Sequence, residues 1–431
     1  MQPGNPATEQ PDMQPSNRAT QQPDMQPTPQ PRTSQRLANI EISLIRQINA
    51  LATPLSLNLG IGEPNIEPDE RLREFAVRAA ATGSWHYTAN AGTLKLRTLV
   101  AEWGRESGVG GRSSMTAGNE NAPTPDPRLA TPFREFDPKT EVCVTAGTEE
   151  ALFSIFQAFV DPGDEVLVPN PGFLSYATLA RIAGATPVPY DFDPAEWRLD
   201  VDALLGRITT RTKLIVVNSP SNPLGSVIGR ETLERIANAG PLVVSDEVYH
   251  EIWYGEPPPS MLGMSDRVIT VGGMSKSHAM TGLRLGWVFA REAVMKPIVT
   301  AHQYVATCAS AFSQSLAESI LSDGAWNRSW LEGVREQFGA QRDAALFAIA
   351  RELEAPIPPP AGAFYAFVPV PACDTVTFAK TLATDAAVLV IPGVAFGSLG
   401  EGFVRISYAA SLDAITAGIE RIGRWLRATR K

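Results

Sequence analysis

The side chain best placed for covalent chemistry in this sequence is Lys276, in the run GGMSKSHAMTGLRLGW at 272–287. A lysine set between small residues at the end of an apolar run is unusual, because lysines normally occupy solvated faces. Eight residues on comes Arg284, flanked by Gly282 and Gly286. Small neighbours let a flat, bulky ligand approach the backbone, and a lysine with an arginine suits an aldehyde together with a phosphate. A basic surface turn accounts for the same spacing, so this run does not decide alone.

Three further runs carry chemistry. In VVSDEVYH (243–250) an apolar stretch carries Asp246 inward, and a buried carboxylate is costly unless it meets a cation or a donor. A protonated pyridine nitrogen would be such a partner, with Tyr249 directed at the same ligand; a helix N-cap is the ordinary alternative. In NSPSNPLGSV (218–227) two prolines and a glycine shape a tight turn that aims Asn222 off the strand end, either towards a phenolate oxygen or simply as a structural turn. In VTAGTEEALF (144–153) a strand ends in Ala-Gly-Thr and a helix begins at once, which presents free N–H groups to an anion.

The elements that must position these residues alternate. EVCVTAG precedes EEALFSIFQAFV, DEVLVPNPG precedes LSYATLARIAG, and TKLIVVNSPSNP precedes ETLERIANAG, followed by PLVVSDEVYH and RVITVGGMSK. Strands apolar on both faces and separated by helices predict an α/β fold, a mostly parallel sheet sandwiched by helices. In such sheets the binding crevice lies beyond the carboxyl ends of the strands, where Thr148, Asn222, Asp246 and Lys276 fall. ANIEISLIRQINAL has helical apolar spacing, and LSLNLGIGEP reads as a short strand entering a turn. From about Met295, long helical patterns precede GAFYAFVPV, AAVLVIPG and FVRISYA, with a closing helix at about 412–427.

The expected division is a Pro/Gln-rich tail at 1–36, an N-terminal segment at 37–75 joining the smaller part and the site, a large domain at 76–294 and a smaller α/β domain at 295–431. The tail reads as three imperfect copies of one unit, MQPGNPATEQPD, MQPSNRATQQPD and MQPTPQPRTSQR. It has too little apolar surface to offset ordering entropy and is expected to be disordered. A Gly/Ser/Asn/Pro-rich stretch at 107–138 reads either as a mobile surface loop or as a lid with Arg112, Arg128 or Arg134 facing an acidic substrate.

Composition excludes several classes. With 44% hydrophobic and 19% charged residues the chain can bury a sizeable core. A net charge of -9 argues against nucleic-acid binding. No apolar run approaches the roughly 18–20 residues that span a bilayer. The polar start lacks a signal peptide's pattern. Cys143, Cys308 and Cys373 form neither a metal-ligand pattern nor a disulfide framework, which fits a cytoplasmic location.

Taken in order, these runs resemble the class I/II aminotransferases of pyridoxal-phosphate (PLP) fold type I, over about residues 35–428. GMSKSHAMTGLRLG matches the lysine region, which implies a Schiff base at Lys276 and a phosphate contact from Arg284. NSPSNPLG is similar to the family's N-x-P-x-N-P-T-G turn, with Leu224 at the usual threonine, and implies Asn222 at the ring oxygen and at the substrate. SDEVY implies Asp246 at the pyridine nitrogen and Tyr249 at the ring oxygen, and PNPGF implies Phe173 stacked on the ring.

AGTEEAL resembles the phosphate turn, implying backbone contacts from Thr148 and Glu149. HYTANAGTLKLR resembles the segment whose tyrosine, Tyr87 here, reaches the partner subunit's cofactor phosphate, so a homodimer is implied. LGIGEP puts Gly62 at the substrate, and FVRIS implies that Arg405 grips its α-carboxylate bidentately. The departures are Gly273, where many relatives carry a serine to the phosphate, the long 107–138 stretch and the tail.

The resemblance implies transfer of an amino group between an L-amino acid and a 2-oxo acid, with PLP as cofactor and no metal, nucleic acid or membrane. Elimination, cyclisation or a synthase step on the same scaffold is the alternative. A non-catalytic PLP-binding regulator would need a DNA-binding module, and the first 36 residues have no helical periodicity and only Arg18 and Arg32 as basic residues before Arg36.

Overall fold

The computed structural model describes residues 33–38, 40–108, 135–371 and 374–429. Most of the tail, Arg112, Arg128, Arg134 and Cys373 lie outside the described residues. Among the described residues thirteen strands run in chain order: β1 Leu57–Asn58, β2 Val142–Thr145, β3 Glu165–Asn170, β4 Thr186–Asp193, β5 Arg198–Leu199, β6 Thr212–Asn218, β7 Leu242–Asp246, β8 Val268–Gly273, β9 Gly286–Phe289, β10 Tyr365–Pro369, β11 Val388–Leu389, β12 Ile391–Pro392 and β13 Phe403–Ser407.

Eight of them form one sheet in the order β2-β9-β8-β7-β6-β3-β4-β5. The pairs β3–β4, β3–β6, β6–β7 and β7–β8 are parallel, so the expected mostly parallel α/β sheet is observed. β9 (GWVF), absent from the sequence reading as a strand, runs antiparallel to both β8 and β2. β2, β3 and β9 are buried along their whole length, which is why their sequences lack polar alternation. Helices Thr148–Phe159 and Glu292–Ala306 pack together on this sheet.

The register sets the site. β6 and β7 pair so that Asn218 lies opposite Asp246, and β8 and β9 pair Gly273 with Gly286. A side chain at Gly273 would place its Cβ 2.8 Å from the Leu285 carbonyl oxygen and 2.9 Å from Gly286 Cα. The local packing therefore has no room for a serine at that position.

Around β10, β12 and β13 lies a second, three-stranded sheet with β13 at its centre. β1 pairs in parallel with β11, and the Leu59 carbonyl accepts from Ser407 N at 2.7 Å, which brings the glycines after β1 beside β13. Two local expectations change. The helix read over 38–51 spans only Leu44–Asn49, because the Ser43 side chain accepts from Arg46 N and caps it there. The pattern QRDAALFAIARELE is the second half of one 30-residue helix, Gly324–Leu353.

Candidate active site

A cavity of about 260 Å³ opens at the carboxyl ends of β2, β6, β7 and β8. Gly62, Thr148, Glu149, Phe173, Asn222, Asp246, Tyr249, Lys276, Arg284 and Arg405 all line it, although they come from segments more than three hundred residues apart. Tyr87 does not, and is 85% exposed on the surface.

Lys276 follows β8 in a turn, and its Nζ donates to the Gly62 carbonyl at 2.8 Å. Burial, reinforced by the nearby Arg405 guanidinium, lowers its pKa to about 8. The turn is braced from behind. The His278 ring nitrogens lie 2.9 Å from Ser277 Oγ and 2.8 Å from Asn327 Oδ1, and Trp330 Nε1 donates to the Ser277 carbonyl at 3.0 Å. Burial lowers the His278 pKa to about 4, so the ring stays neutral.

Asp246 ends β7. Its Oδ2 accepts from the Tyr176 hydroxyl at 2.7 Å and its Oδ1 from Val248 N at 3.2 Å. The residues after it form turns rather than a helix, so it caps no helix. Burial raises its pKa to about 6 against the pull of these two donors. It forms no ion pair among the described residues, so a buried carboxylate faces the cavity without a cation.

Asn218, at the end of β6, ties two turns together. Its Nδ2 donates to the Asp246 carbonyl at 2.9 Å, and its Oδ1 accepts from Asn222 N at 2.8 Å. Asn222 Oδ1 in turn accepts from Arg405 Nη1 at 2.9 Å. Arg405 is 1% exposed at the middle of β13. Its Nη2 donates to the Gly60 carbonyl at 2.6 Å, and its guanidinium lies 4.4 Å from the Tyr365 ring centre and 4.9 Å from that of Phe396. Each terminal nitrogen keeps a second N–H for a ligand.

At the opposite end, helix Thr148–Phe159 starts after Gly147 with no side-chain cap, and its first N–H groups and dipole favour an anion. The Arg284 guanidinium sits against Gly147, where any Cβ would overlap it. Phe173 stands at the start of helix Leu174–Ile182, with its ring 5.7 Å from that of Tyr176.

Sequence reasoning missed Tyr176, Asn218 and Tyr365. Tyr176 lies three residues beyond Phe173, one helical turn on, which was a usable signal. Tyr365 donates to or accepts from the Tyr249 hydroxyl at 2.8 Å, and only the tertiary fold brings those two together.

Residues 56–422 match the family described as aminotransferase class I and II. An aromatic-amino-acid aminotransferase of Thermococcus litoralis is 34% identical over 91% of this chain and 98% of its own. An aspartate aminotransferase of Pyrococcus abyssi is also 34% identical, over 91% and 98%. Among solved structures, the aromatic aminotransferase of Pyrococcus horikoshii has a TM-score of 0.77 at 33% identity, covering 90% of this chain and 99% of that one. The aspartate aminotransferase of Thermus thermophilus with maleate has 0.81 at 32%, covering 91% and 99%.

Proposed function

This chain belongs to the class I and II aminotransferases, a PLP-dependent family, and we propose that it moves an amino group between an L-amino acid and a 2-oxo acid through Lys276. The observation that carries the assignment is the single cavity in which a lysine of lowered pKa, an unpaired buried carboxylate and an arginine at an uncapped helix start converge.

The residues fit PLP. Asp246 is a buried acceptor with no cation of its own, which suits a pyridine N–H; Arg284 and the helix start at Thr148 offer donors to a phosphate at the other end. When bound, the cofactor supplies an aldehyde for the amino group and an electron-withdrawing ring that lowers the cost of charge at the substrate Cα.

In this reading Lys276 would hold the aldehyde, and its Nζ, when free, would remove and return the substrate's Cα proton. Asp246 keeps the ring nitrogen protonated, while Asn222 and Tyr249 hold the ring oxygen. Phe173 covers the ring face. Thr148, Glu149 (through its backbone) and Arg284 hold the phosphate. Arg405, stacked on Tyr365 and steadied by Asn222, grips the α-carboxylate beside Gly62.

A homodimer is part of this proposal, with Tyr87 reaching the neighbouring site. Tyr87 and Trp85 are 85% and 84% exposed, and Tyr304 is 83% exposed on a helix tied to the same segment by His302 Nε2 at the Asn90 carbonyl. Such aromatic exposure supports this reading. No described helix is long and apolar enough to cross a membrane, and we place the enzyme in the cytoplasm on composition. The division into a large part at 76–294 and a smaller one at 295–431, joined by 37–75, is kept as part of the proposal.

The test uses holoenzyme and an amino donor without acceptor. The expected result is one equivalent of 2-oxo acid per site, with further turnover only when a second 2-oxo acid is added. Continuous ammonia release from the donor alone would instead mean elimination.

A further inference from the structure

The charges around the cavity do not all find employment in the proposed reaction. The lining holds three cations, Lys276, Arg284 and Arg405, and two carboxylates, Asp246 and Glu149. A third carboxylate, Glu63, sits at the rim, where Thr281 donates to it. The proposed roles engage all three cations and Asp246. Glu149 and Glu63 remain, and neither makes an ion pair among the described residues.

The Glu149 side chain is exposed and lines the cavity. Desolvation by the surrounding protein raises its pKa, opposed by the Ser175 hydroxyl and by Arg284. Of the rest of the lining, Ile45, Leu152, Val248, Tyr176 and Tyr365 are apolar or aromatic, and Asn218, Ser275 and Thr281 are uncharged. The exposed segment 83–93 around Tyr87 carries no lysine or arginine to lend to a partner's site.

Among the described residues, a substrate with a second carboxylate would therefore meet no cation left without a role, and would lie near one or two carboxylates. Like charges so placed repel and disfavour binding. We propose that the amino donors of this site are amino acids with uncharged apolar or aromatic side chains, and that Glu149 is the residue that discriminates against dicarboxylates.

This rests on the aminotransferase reading, with Arg405 at the α-carboxylate. Two unreactive probes separate it from turnover. 3-Phenylpropionate and maleate, both able to place one carboxylate at Arg405, are titrated into the holoenzyme by calorimetry. The expected result is 3-phenylpropionate binding at least about tenfold tighter, with that ratio shrinking severalfold in Glu149→Gln and further in Glu149→Lys. Equal or tighter maleate binding, binding of neither probe, or a ratio unchanged in both variants overturns the inference.

The half-reaction with phenylalanine and with aspartate, followed by cofactor absorbance, supplies the second reading. Phenylalanine is expected to react faster, and faster aspartate reaction also overturns the inference. If no amino acid reacts, the aminotransferase reading fails, and the probe titration still decides the specificity.

Discussion

Lys276 Nζ donates to the Gly62 carbonyl at 2.8 Å, and Gly62 itself has no space for a side chain because the Tyr365 hydroxyl stands where its Cβ would be. One glycine thus sets both the resting place of the lysine and the closeness of the Tyr365 ring. Gly62→Ala is expected to displace this contact and lower kcat/KM by roughly 10²-fold, the usual cost of an ångström of misplacement. Removing only the hydroxyl leaves Tyr365 Cζ as the nearest atom, 3.3 Å from that Cβ. Adding Tyr365→Phe to Gly62→Ala should therefore restore activity, with a coupling of at least about 1 kcal/mol in the double-mutant cycle. A double variant no better than Gly62→Ala would remove the steric account.

The lowered pKa of Lys276, to about 8, has a measurable consequence in the apoprotein. An exposed lysine becomes neutral only near pH 10.4, whereas Lys276 is expected to be neutral above about pH 8 because burial and Arg405 disfavour its charge. Its rate of acetylation, read peptide by peptide by mass spectrometry, should rise with a midpoint near pH 8. A midpoint shared with the surface lysines would contradict this environment.

Asp246 predicts opposite effects on stability and on turnover. Its pKa is raised to about 6 from 3.8, so the folded apoprotein holds this proton more tightly than the unfolded chain. Its contribution to stability is present below pH 4 and is lost as pH rises through 6. Asp246→Asn cannot ionise, so relative to the parent its apoprotein Tm should improve as pH goes from 4 to 7. Its turnover should fall by about 10²–10³-fold, as when an electrostatic partner of the reacting centre is removed. Turnover within threefold of the parent would argue against a ring-nitrogen contact.

The shared site is tested by mixing two crippled chains. Lys276→Ala and Tyr87→Phe homodimers should each be impaired, the first almost completely. A heterodimer pairs an intact Lys276 with an intact Tyr87 from the other chain, so activity should reappear after subunit exchange. No recovery, with exchange verified by native mass spectrometry, would place Tyr87 outside the neighbouring site.

Much of this protein could be read from its residues in line. Strand–helix alternation and uniformly apolar strands specify a mostly parallel sheet, because only helices on both faces can cover such strands. Residue types at strand ends, such as the lysine among glycines at 272–276 and the aspartate closing VVSD, mark the crevice edge, since burying polar groups there is costly without a ligand. These are local signals, each complete within about ten residues.

What the tertiary structure alone decided are the contacts between distant segments. The Tyr176 hydroxyl meets Asp246, Tyr365 meets Tyr249, and Arg405 meets both Asn222 and the Gly60 carbonyl. Asn218 became visible as a clamp only once β6 and β7 were in register. The strand character of GWVF and the need for glycine at 273 also follow from antiparallel pairing across the Lys276 turn rather than from any pattern within either run. Hydrophobic periodicity reports which face of an element is buried, but not what it is buried against; that is set by chain closure over hundreds of residues, and it is there that the lysine acquired its pKa and the cavity its Glu149.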